Sequence, residues 1–227
     1  MDITKIEAFS KQTLEGDATG HDWFHAERVA DWALRFYEED HGEADGQTAT
    51  ILRAAAYLHD TIDDKVVVDV QSQIEAVGKV MVGADFSKEQ IDEVMDTITH
   101  LSYSANLEEK HELSLLGGYV QDADRIEALG AIGIARVFAY GGAKGREMAD
   151  PRVLPITDFS DKEAYRKNAN PSVNHFYEKL FKLPAQLNTP AGRREGEKRV
   201  AYMKDFLRTF NEETGLLKDP AFDLNDI

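Results

Sequence analysis

Hydrophobic positions in the first 150 residues recur mostly every three to four residues, which is the period of an amphipathic helix. In HAERVADWALRFYEE, residues 25–39, apolar side chains form one stripe and charged side chains lie mostly on the opposite face. Residues 69–83 and 88–103 repeat this period, whereas residues 49–60, ATILRAAAYLHD, are nearly all apolar and predict a buried central helix. Strand-like alternation is scarce. The pattern therefore predicts an all-α protein.

Local signals place several helix ends. Ser87 followed by Gln90 is a capping-box pattern and predicts that a helix starts at residue 88. Asp22 is expected to cap the helix that follows it. Residues 109–140 predict two helices, or one long bent helix with its weak point at Gly117–Gly118.

The chain changes character after residue 140. Residues 141–171 collect Gly, Pro, Asp and Asn and predict a long irregular segment, and loops of that length are usually functional or disordered. All six prolines come after residue 150. Two helices are expected over residues 172–214, one in SVNHFYEKLFKL and a longer one from about Arg193 to Glu213. We expect one domain over residues 1–227, with its core at about 20–140.

Composition narrows the function. Cysteine is absent, which excludes disulfides, Cys-ligated zinc, iron–sulfur clusters and thiol catalysis. Lys and Arg number 26 against 42 Asp and Glu, a net charge of −16, so a nucleic acid polymer or an anionic membrane is not an expected partner. No run approaches 18 apolar residues, and the N-terminal residues lack a secretory pattern. These features together predict a cytoplasmic protein.

Histidines and aspartates stand where apolar helices begin or end. His25 starts a helical turn, His59 and Asp60 close the most apolar helix, and Asp124 lies in VQDADRIEALG. Buried ionisable groups are costly unless they are paired or bind a metal. Imidazole nitrogens and carboxylate oxygens suit a divalent first-row metal ion, and four such ligands leave about two octahedral positions for water or a phosphate oxygen. Core histidines and helix-capping aspartates are the alternative.

These four residues and their surroundings resemble the HD-domain metal-dependent phosphohydrolases, whose pattern is H…HD…D on a helical core. The resemblance covers about residues 20–210 and is closest to the small bacterial stand-alone members. It is carried by GHDWFHAERVADWA, LHDTIDDK, VQDADRIEALGAIGIAR and HFYEKL. It implies an HD-domain helical bundle that binds one divalent transition metal ion through His25, His59, Asp60 and Asp124. Mn²⁺ is favoured, and Fe²⁺, Co²⁺, Ni²⁺ or Zn²⁺ is compatible with the same ligands.

Catalytic roles are expected for two residues that follow the HD pair. Asp63 corresponds to a family carboxylate that orients or deprotonates the attacking water, and helical spacing would place it four residues from His59 on the same face. Lys65 is the best candidate to offset charge on the phosphate. The alternative is that Asp63 and Asp64 form an acidic helix end that pairs with Lys65.

Four further residues are candidates for substrate binding. Arg28 lies three residues after His25 and carries a planar fork that suits phosphate oxygens. His100 ends a predicted helix, and we expect a substrate ligand there, while His111 is expected on a solvated surface. His175 and Lys179 fall on one helix face in HFYEKL and match a distal family motif; helix packing explains them almost as well.

The resemblance implies a hydrolase of small phosphorylated molecules. The predicted substrate is a nucleotide, with a nucleoside triphosphate cut to monophosphate and pyrophosphate. The alternatives are a nucleoside monophosphate phosphatase, an inactive metal- and nucleotide-binding sensor module, and a purely structural helical protein. Neither the oligomeric state nor the metal's identity follows from the sequence.

Overall fold

The computed structural model describes residues 1–15, 22–63, 66–101, 111–156 and 168–224. Within these ranges the chain forms α-helices joined by short turns and 3₁₀ helices, with no strand, so the all-α prediction is confirmed. The α-helices are α1 (Ile3–Leu14), α2 (Trp23–His41), α3 (Gly46–Leu58), α4 (Val70–Gly83), α5 (Lys88–His100), α6 (Leu115–Glu127), α7 (Gly130–Ala143), α8 (Asn174–Glu178) and α9 (Pro190–Thr214). The 3₁₀ helices are His59–Ile62, Leu180–Lys182, Pro184–Gln186 and Pro220–Phe222.

The chain divides into two compact units. The first comprises Met1–Asp124 and Asn188–Gly192, and the second comprises Arg125–Leu187 and Arg193–Ile227. No single helix within the described ranges is long and apolar enough to cross a membrane, and α6 with α7 meets that test only as a bent pair.

Helix α3 is the centre of the first unit and contacts α1, α2 and α5. Three of its six buried residues are alanines, and so are three of the six buried residues of α2, so the two backbones can approach closely. The first unit therefore surrounds the helix that leads into His59. That arrangement agrees with the buried central helix expected over residues 49–60.

Aromatic side chains organise the core of the second unit. Phe138 of α7 lies 6.0 to 6.3 Å, between ring centroids, from Phe176 of α8 and from Phe206 and Phe210 of α9. Tyr177 packs edge-on against the rings of Phe181 and Phe222. These rings are large apolar surfaces whose burial stabilises the unit.

The capping predictions are confirmed. Ser87 and Gln90 form a capping box at the start of α5, in which each side chain accepts a hydrogen bond from the other residue's backbone N–H. The Asp22 carboxylate caps α2. Because caps depend on residues only a few positions apart, the sequence alone locates them.

The predicted weak point at Gly117–Gly118 is wrong. Both glycines lie inside α6, and the chain breaks instead at Ala128–Leu129, before Gly130, which has φ +73°. Gly117 is small for a packing reason, because a Cβ there would lie 2.8 Å from the Thr97 hydroxyl oxygen. A left-handed residue after the break suits glycine, whose missing Cβ removes the steric penalty.

Residues 172–183 form less helix than predicted. An α-helix covers only Asn174–Glu178 and a 3₁₀ helix follows at Leu180–Lys182, because the chain leaves helical geometry at Lys179 (φ −134°, ψ −56°). Nine of the twelve residues of this stretch are buried, so tertiary packing overrides the local helical preference. The described residues 144–156 and 168–171 contain no helix or strand, which agrees with the irregular segment, and residues 157–167 lie outside the described ranges.

Candidate metal centre

Capping fixes His25 in the first turn of α2. The Asp22 carboxylate accepts a hydrogen bond from the His25 N–H at 2.8 Å. The His25 side chain is only 1% exposed and lies beside the apolar stripe of α2. An imidazole is thus held inside the first unit at the end of an otherwise apolar helix face.

His59 and Asp60 begin the 3₁₀ helix that continues α3, and both are buried. The His59 Nδ1 lies 2.6 Å from the Ala56 carbonyl oxygen, so Nδ1–H donates to that carbonyl and Nε2 faces the Asp60 carboxylate. A backbone contact of this kind orients an imidazole for metal binding through its other nitrogen.

The donor atoms of four predicted ligands converge. Asp60 Oδ2 lies 3.2 Å from His59 Nε2 and 3.4 Å from His25 Nε2. Asp124 Oδ1, from α6, lies 3.4 Å from His25 Nε2 and 3.7 Å from His59 Nε2. Two atoms each about 2.1 Å from one ion are about 3.0 Å apart at a right angle and about 3.4 Å apart at the tetrahedral angle. The separations among His25, His59 and Asp60 therefore fit a shared divalent cation, and Asp124 Oδ1 lies beside this group, within 3.7 Å of both imidazoles.

The electrostatics of the cluster favour positive charge. Burial of His59 disfavours its charged form, but the carboxylates of Asp60 and Asp124 outweigh burial and raise its pKa to about 9. The Asp124 side chain is 31% exposed, whereas the other three are at most 8% exposed. The cluster is consequently enclosed on the side of the two imidazoles and reached by solvent at Asp124.

Asp63 stands differently from its prediction. The 3₁₀ helix ends at Ile62, and Asp63 has extended backbone angles (φ −74°, ψ 134°), so the α-helical spacing from His59 does not hold. A 3₁₀ helix has about three residues per turn, which puts the fourth residue on a different face. A role for Asp63 stays a prediction. Asp64 and Lys65 lie outside the described residues.

The two arginines near the ligands differ. Arg28 is half-buried on α2, one turn after His25, and its substrate role stays a prediction. Arg125 follows Asp124 and is buried, and its Nη1 donates to the Gln186 carbonyl oxygen at 2.6 Å. That bond gives Arg125 a structural role.

His100 and His111 form a second polar cluster with Asp96. Their rings stack with centroids 3.7 Å apart and planes at 15°, and each has a nitrogen 3.1 Å from Asp96 Oδ1. His111 is exposed, as expected, yet it contacts the residue predicted to bind substrate. Because a ring nitrogen's lone pair lies in the ring plane, two nearly parallel rings do not point at one ion. In this arrangement the cluster is held by hydrogen bonds to Asp96.

His175 and Lys179 belong to the second unit. Burial and the positive charges of Lys179 and Arg146 lower the pKa of His175 to about 3. His175 is therefore neutral at physiological pH and offers a substrate one N–H donor and one acceptor nitrogen, not a charge. Substrate roles for His175 and Lys179 remain predictions.

Two buried carboxylates were not singled out from the sequence. Asp122 of α6 is fully buried and accepts hydrogen bonds from Asn188 and Thr189. Glu178 of α8 accepts from the Ile156 N–H and from the side-chain amides of Asn168 and Asn170. The available signals were the first acid in QDADR, which is Asp122, and the Asn-rich stretch before Pro171. Neither shows which groups will meet in the fold.

The all-α fold brings together a histidine, a His-Asp pair and a later aspartate. This combination places the chain in the class of proteins with an HD-type candidate metal centre. No family model matches the chain. The Bacillus subtilis (strain 168) protein YpgQ is 32% identical over 210 residues, which cover 92% of this chain and 92% of YpgQ.

Solved structures give the same result. A structure of Bacillus subtilis YpgQ in complex with ADP has a TM-score of 0.71 at 31% identity, and covers 94% of this chain and 96% of YpgQ. An HD-superfamily hydrolase from Bacillus thuringiensis has a TM-score of 0.70 at 40% identity, with 93% and 95% of the chains covered. A Lactobacillus plantarum protein has a TM-score of 0.78 at 34% identity, with 93% and 95% covered.

The chain therefore belongs to the HD superfamily of hydrolases, together with YpgQ. This membership and the His/Asp cluster support a metal-dependent phosphohydrolase.

Proposed function

We propose that this protein hydrolyses a nucleotide in a metal-dependent reaction, and that the preferred substrate is a nucleoside triphosphate cut to monophosphate and pyrophosphate. The observation that carries the proposal is the convergence of His25, His59, Asp60 and Asp124 in the first unit. The ADP complex of the related YpgQ supports a nucleotide as ligand.

The four side chains would hold a divalent ion, with Mn²⁺ favoured. When bound there, such an ion supplies Lewis acidity, which increases the acidity of a water molecule and polarises a phosphoryl oxygen. Among the chain's own residues, the Ala56 carbonyl keeps His59 in the tautomer whose Nε2 faces the cluster. Asp124, the most exposed of the four ligands, lies at the side from which substrate enters.

Other residues of the protein would orient the attacking water and bind the substrate. Asp63 is proposed to align or deprotonate the attacking water, a task that suits a carboxylate just past the ligand pair. Arg28 and Lys65 are proposed to offset negative charge on the phosphate, Arg28 with a bidentate fork and Lys65 as a point charge. His100, His175 and Lys179 are proposed substrate contacts.

A nucleotide panel with Mn²⁺, assayed separately for orthophosphate and pyrophosphate, tests the proposal. Release of pyrophosphate from triphosphates identifies the preferred activity, and release of orthophosphate from monophosphates identifies the phosphatase instead. Saturable nucleotide binding without product over hours would assign the protein to the sensor class. Asp124→Ala is the matched negative control, because it removes one ligand from the surface-facing side of the cluster.

A further inference from the structure

A dense polar network lies along α6 beside the candidate ligand Asp124. The Asp122 carboxylate accepts from the backbone N–H groups of Asn188 and Thr189 at 2.8 and 2.7 Å. It also accepts from the Thr189 hydroxyl at 2.7 Å and from the Asn188 side-chain amide at 2.9 Å. Asp122 has no exposed surface, so these donors replace all the water that an ionised carboxylate would otherwise bind.

The network joins α6 to two helix ends within the first unit. Gln121 donates through Nε2 to the Leu101 carbonyl oxygen, at the end of α5, and accepts from the Asn188 side chain. Thr189 precedes the first residue of α9, and its hydroxyl oxygen accepts from the Gly192 N–H. A Cβ at Gly192 would lie 2.5 Å from Asp122 Oδ2, so only glycine permits this approach. The contacts consequently set where α6 lies along these neighbours.

The network and the ligand occupy different faces of α6. Successive residues of an α-helix are rotated by about 100°, so Asp122 and Asp124 point about 200° apart. A rotation of α6 by about 10° would move an atom about 6 Å from the helix axis by about 1 Å. Metal ligands tolerate only about 0.2 Å of such displacement. The rotation of α6 therefore decides whether Asp124 Oδ1 reaches His25 and His59.

We propose that Asp122 is a positioning residue for the metal centre. Its contacts with Asn188 and Thr189 fix the rotation of α6, and this rotation holds the Asp124 carboxylate at 3.4 Å from His25 Nε2. The inference rests on the proposed function in one respect, namely that Asp124 is a metal ligand. Asp122 itself points away from the cluster and acts through the helix.

Calorimetric titration of the whole chain with Mn²⁺ tests this role without an activity readout. Asp122→Asn turns one acceptor oxygen into an amide facing other donors, and we expect Mn²⁺ affinity to fall about tenfold, the low end for residues that support metal ligands. Thr189→Val removes the hydroxyl donor 65 positions from Asp124, and we expect a severalfold loss. Thr189→Ser keeps the hydroxyl and should bind as the wild type does.

Two controls separate the possible failures. Phe36→Leu removes buried apolar volume on α2 and lowers the melting temperature without touching the network, so its Mn²⁺ affinity should stay at the wild-type value. Asp124→Ala should abolish binding. Wild-type affinity in Asp122→Asn and Thr189→Val, with binding lost in Asp124→Ala, would overturn the positioning role and leave the proposed function intact. An equal loss in Phe36→Leu would also overturn it, and Mn²⁺ binding by Asp124→Ala would overturn the proposed function itself.

Discussion

Asp124 Oδ1 lies 3.4 Å from His25 Nε2, although the two residues belong to different helices, α6 and α2. His59 and Asp60 are neighbours in the chain, so their proximity needs no tertiary contact. The contact between Asp124 and His25 is what brings α6 to the candidate metal centre. The first measurements should therefore ask whether the centre binds a metal through Asp124.

Metal binding should stabilise the wild-type protein and depend on Asp124. Mn²⁺ at about a hundred times its dissociation constant should add about 2.7 kcal/mol to the free energy of unfolding. For a chain of this size that corresponds to a rise of about 5–10 °C in melting temperature. Thermal denaturation with and without EDTA measures it, and Asp124→Ala should show no such rise.

The matched control for that measurement is Asp92→Ala. Asp92 is an exposed aspartate of α5 whose carboxylate pairs with Lys88 at 2.8 Å, and exposed pairs contribute little to stability. It should retain the full response to Mn²⁺. An equal response in Asp124→Ala would show that Mn²⁺ acts elsewhere on the protein.

Asp63 separates metal binding from water activation. Asp63→Asn keeps the size of the side chain and removes its basicity, so we expect kcat to fall about a hundredfold, the lower range for a general base. Mn²⁺ affinity should be unchanged, because Asp63 is not among the four converging residues. Steady-state kinetics together with a Mn²⁺ titration measure both quantities. Wild-type kcat in this variant would remove Asp63 from the mechanism.

The lowered pKa of His175 predicts a pH dependence of stability. Its pKa is lowered to about 3 in the folded protein, against about 6.5 in the unfolded chain, because of burial and the charges of Lys179 and Arg146. Above pH 6.5 His175 is neutral in both the folded and the unfolded state, so it does not change the free energy of unfolding. As the pH falls below 6.5, His175 becomes protonated in the unfolded state but not in the folded state, so the free energy of unfolding decreases.

Urea denaturation at pH 7 and pH 5 tests this linkage. Between these values His175 should account for a loss of about 2 kcal/mol in the free energy of unfolding. The free energy of unfolding of His175→Gln should fall by about 2 kcal/mol less than that of the wild type between the two pH values, whatever the absolute stability of the variant. Identical pH slopes in the two proteins would mean that His175 titrates normally in the folded state.

Two glycines of α7 should respond in opposite directions to the same substitution. A Cβ at Gly133 would overlap the carbonyl oxygen of Ala128, whereas a Cβ at Gly142 meets open space. Gly133→Ala should therefore destabilise the protein by about 2 kcal/mol, in the range for overpacking. Gly142→Ala should be neutral or stabilising by up to about 1 kcal/mol, since alanine favours helix. Urea midpoints of the pair provide the comparison, and loss of stability in Gly142→Ala would contradict the open surroundings.

Local sequence rules located the helices with a clear apolar stripe and the caps at Asp22 and Ser87. They were wrong where contacts between distant residues decide the local structure. At Gly117 the nearby Thr97 side chain leaves no room for a Cβ, and residues 172–183 are packed into the core of the second unit. The spacing argument for Asp63 was wrong for a related reason. The chain tightens into a 3₁₀ helix after Leu58, and an α-helical period no longer applies.

The amino-acid sequence by itself determined the all-α class, the absence of cysteine chemistry and the four candidate ligands, because hydrophobic period and residue type are local properties. The tertiary structure decided that Asp60 Oδ2 and Asp124 Oδ1 each lie within 3.7 Å of both imidazole Nε2 atoms, that His111 stacks on His100, and that Asp122 is buried against Asn188 and Thr189. These are relations between different segments of the chain, and only the packing of those segments in space fixes the distances between them.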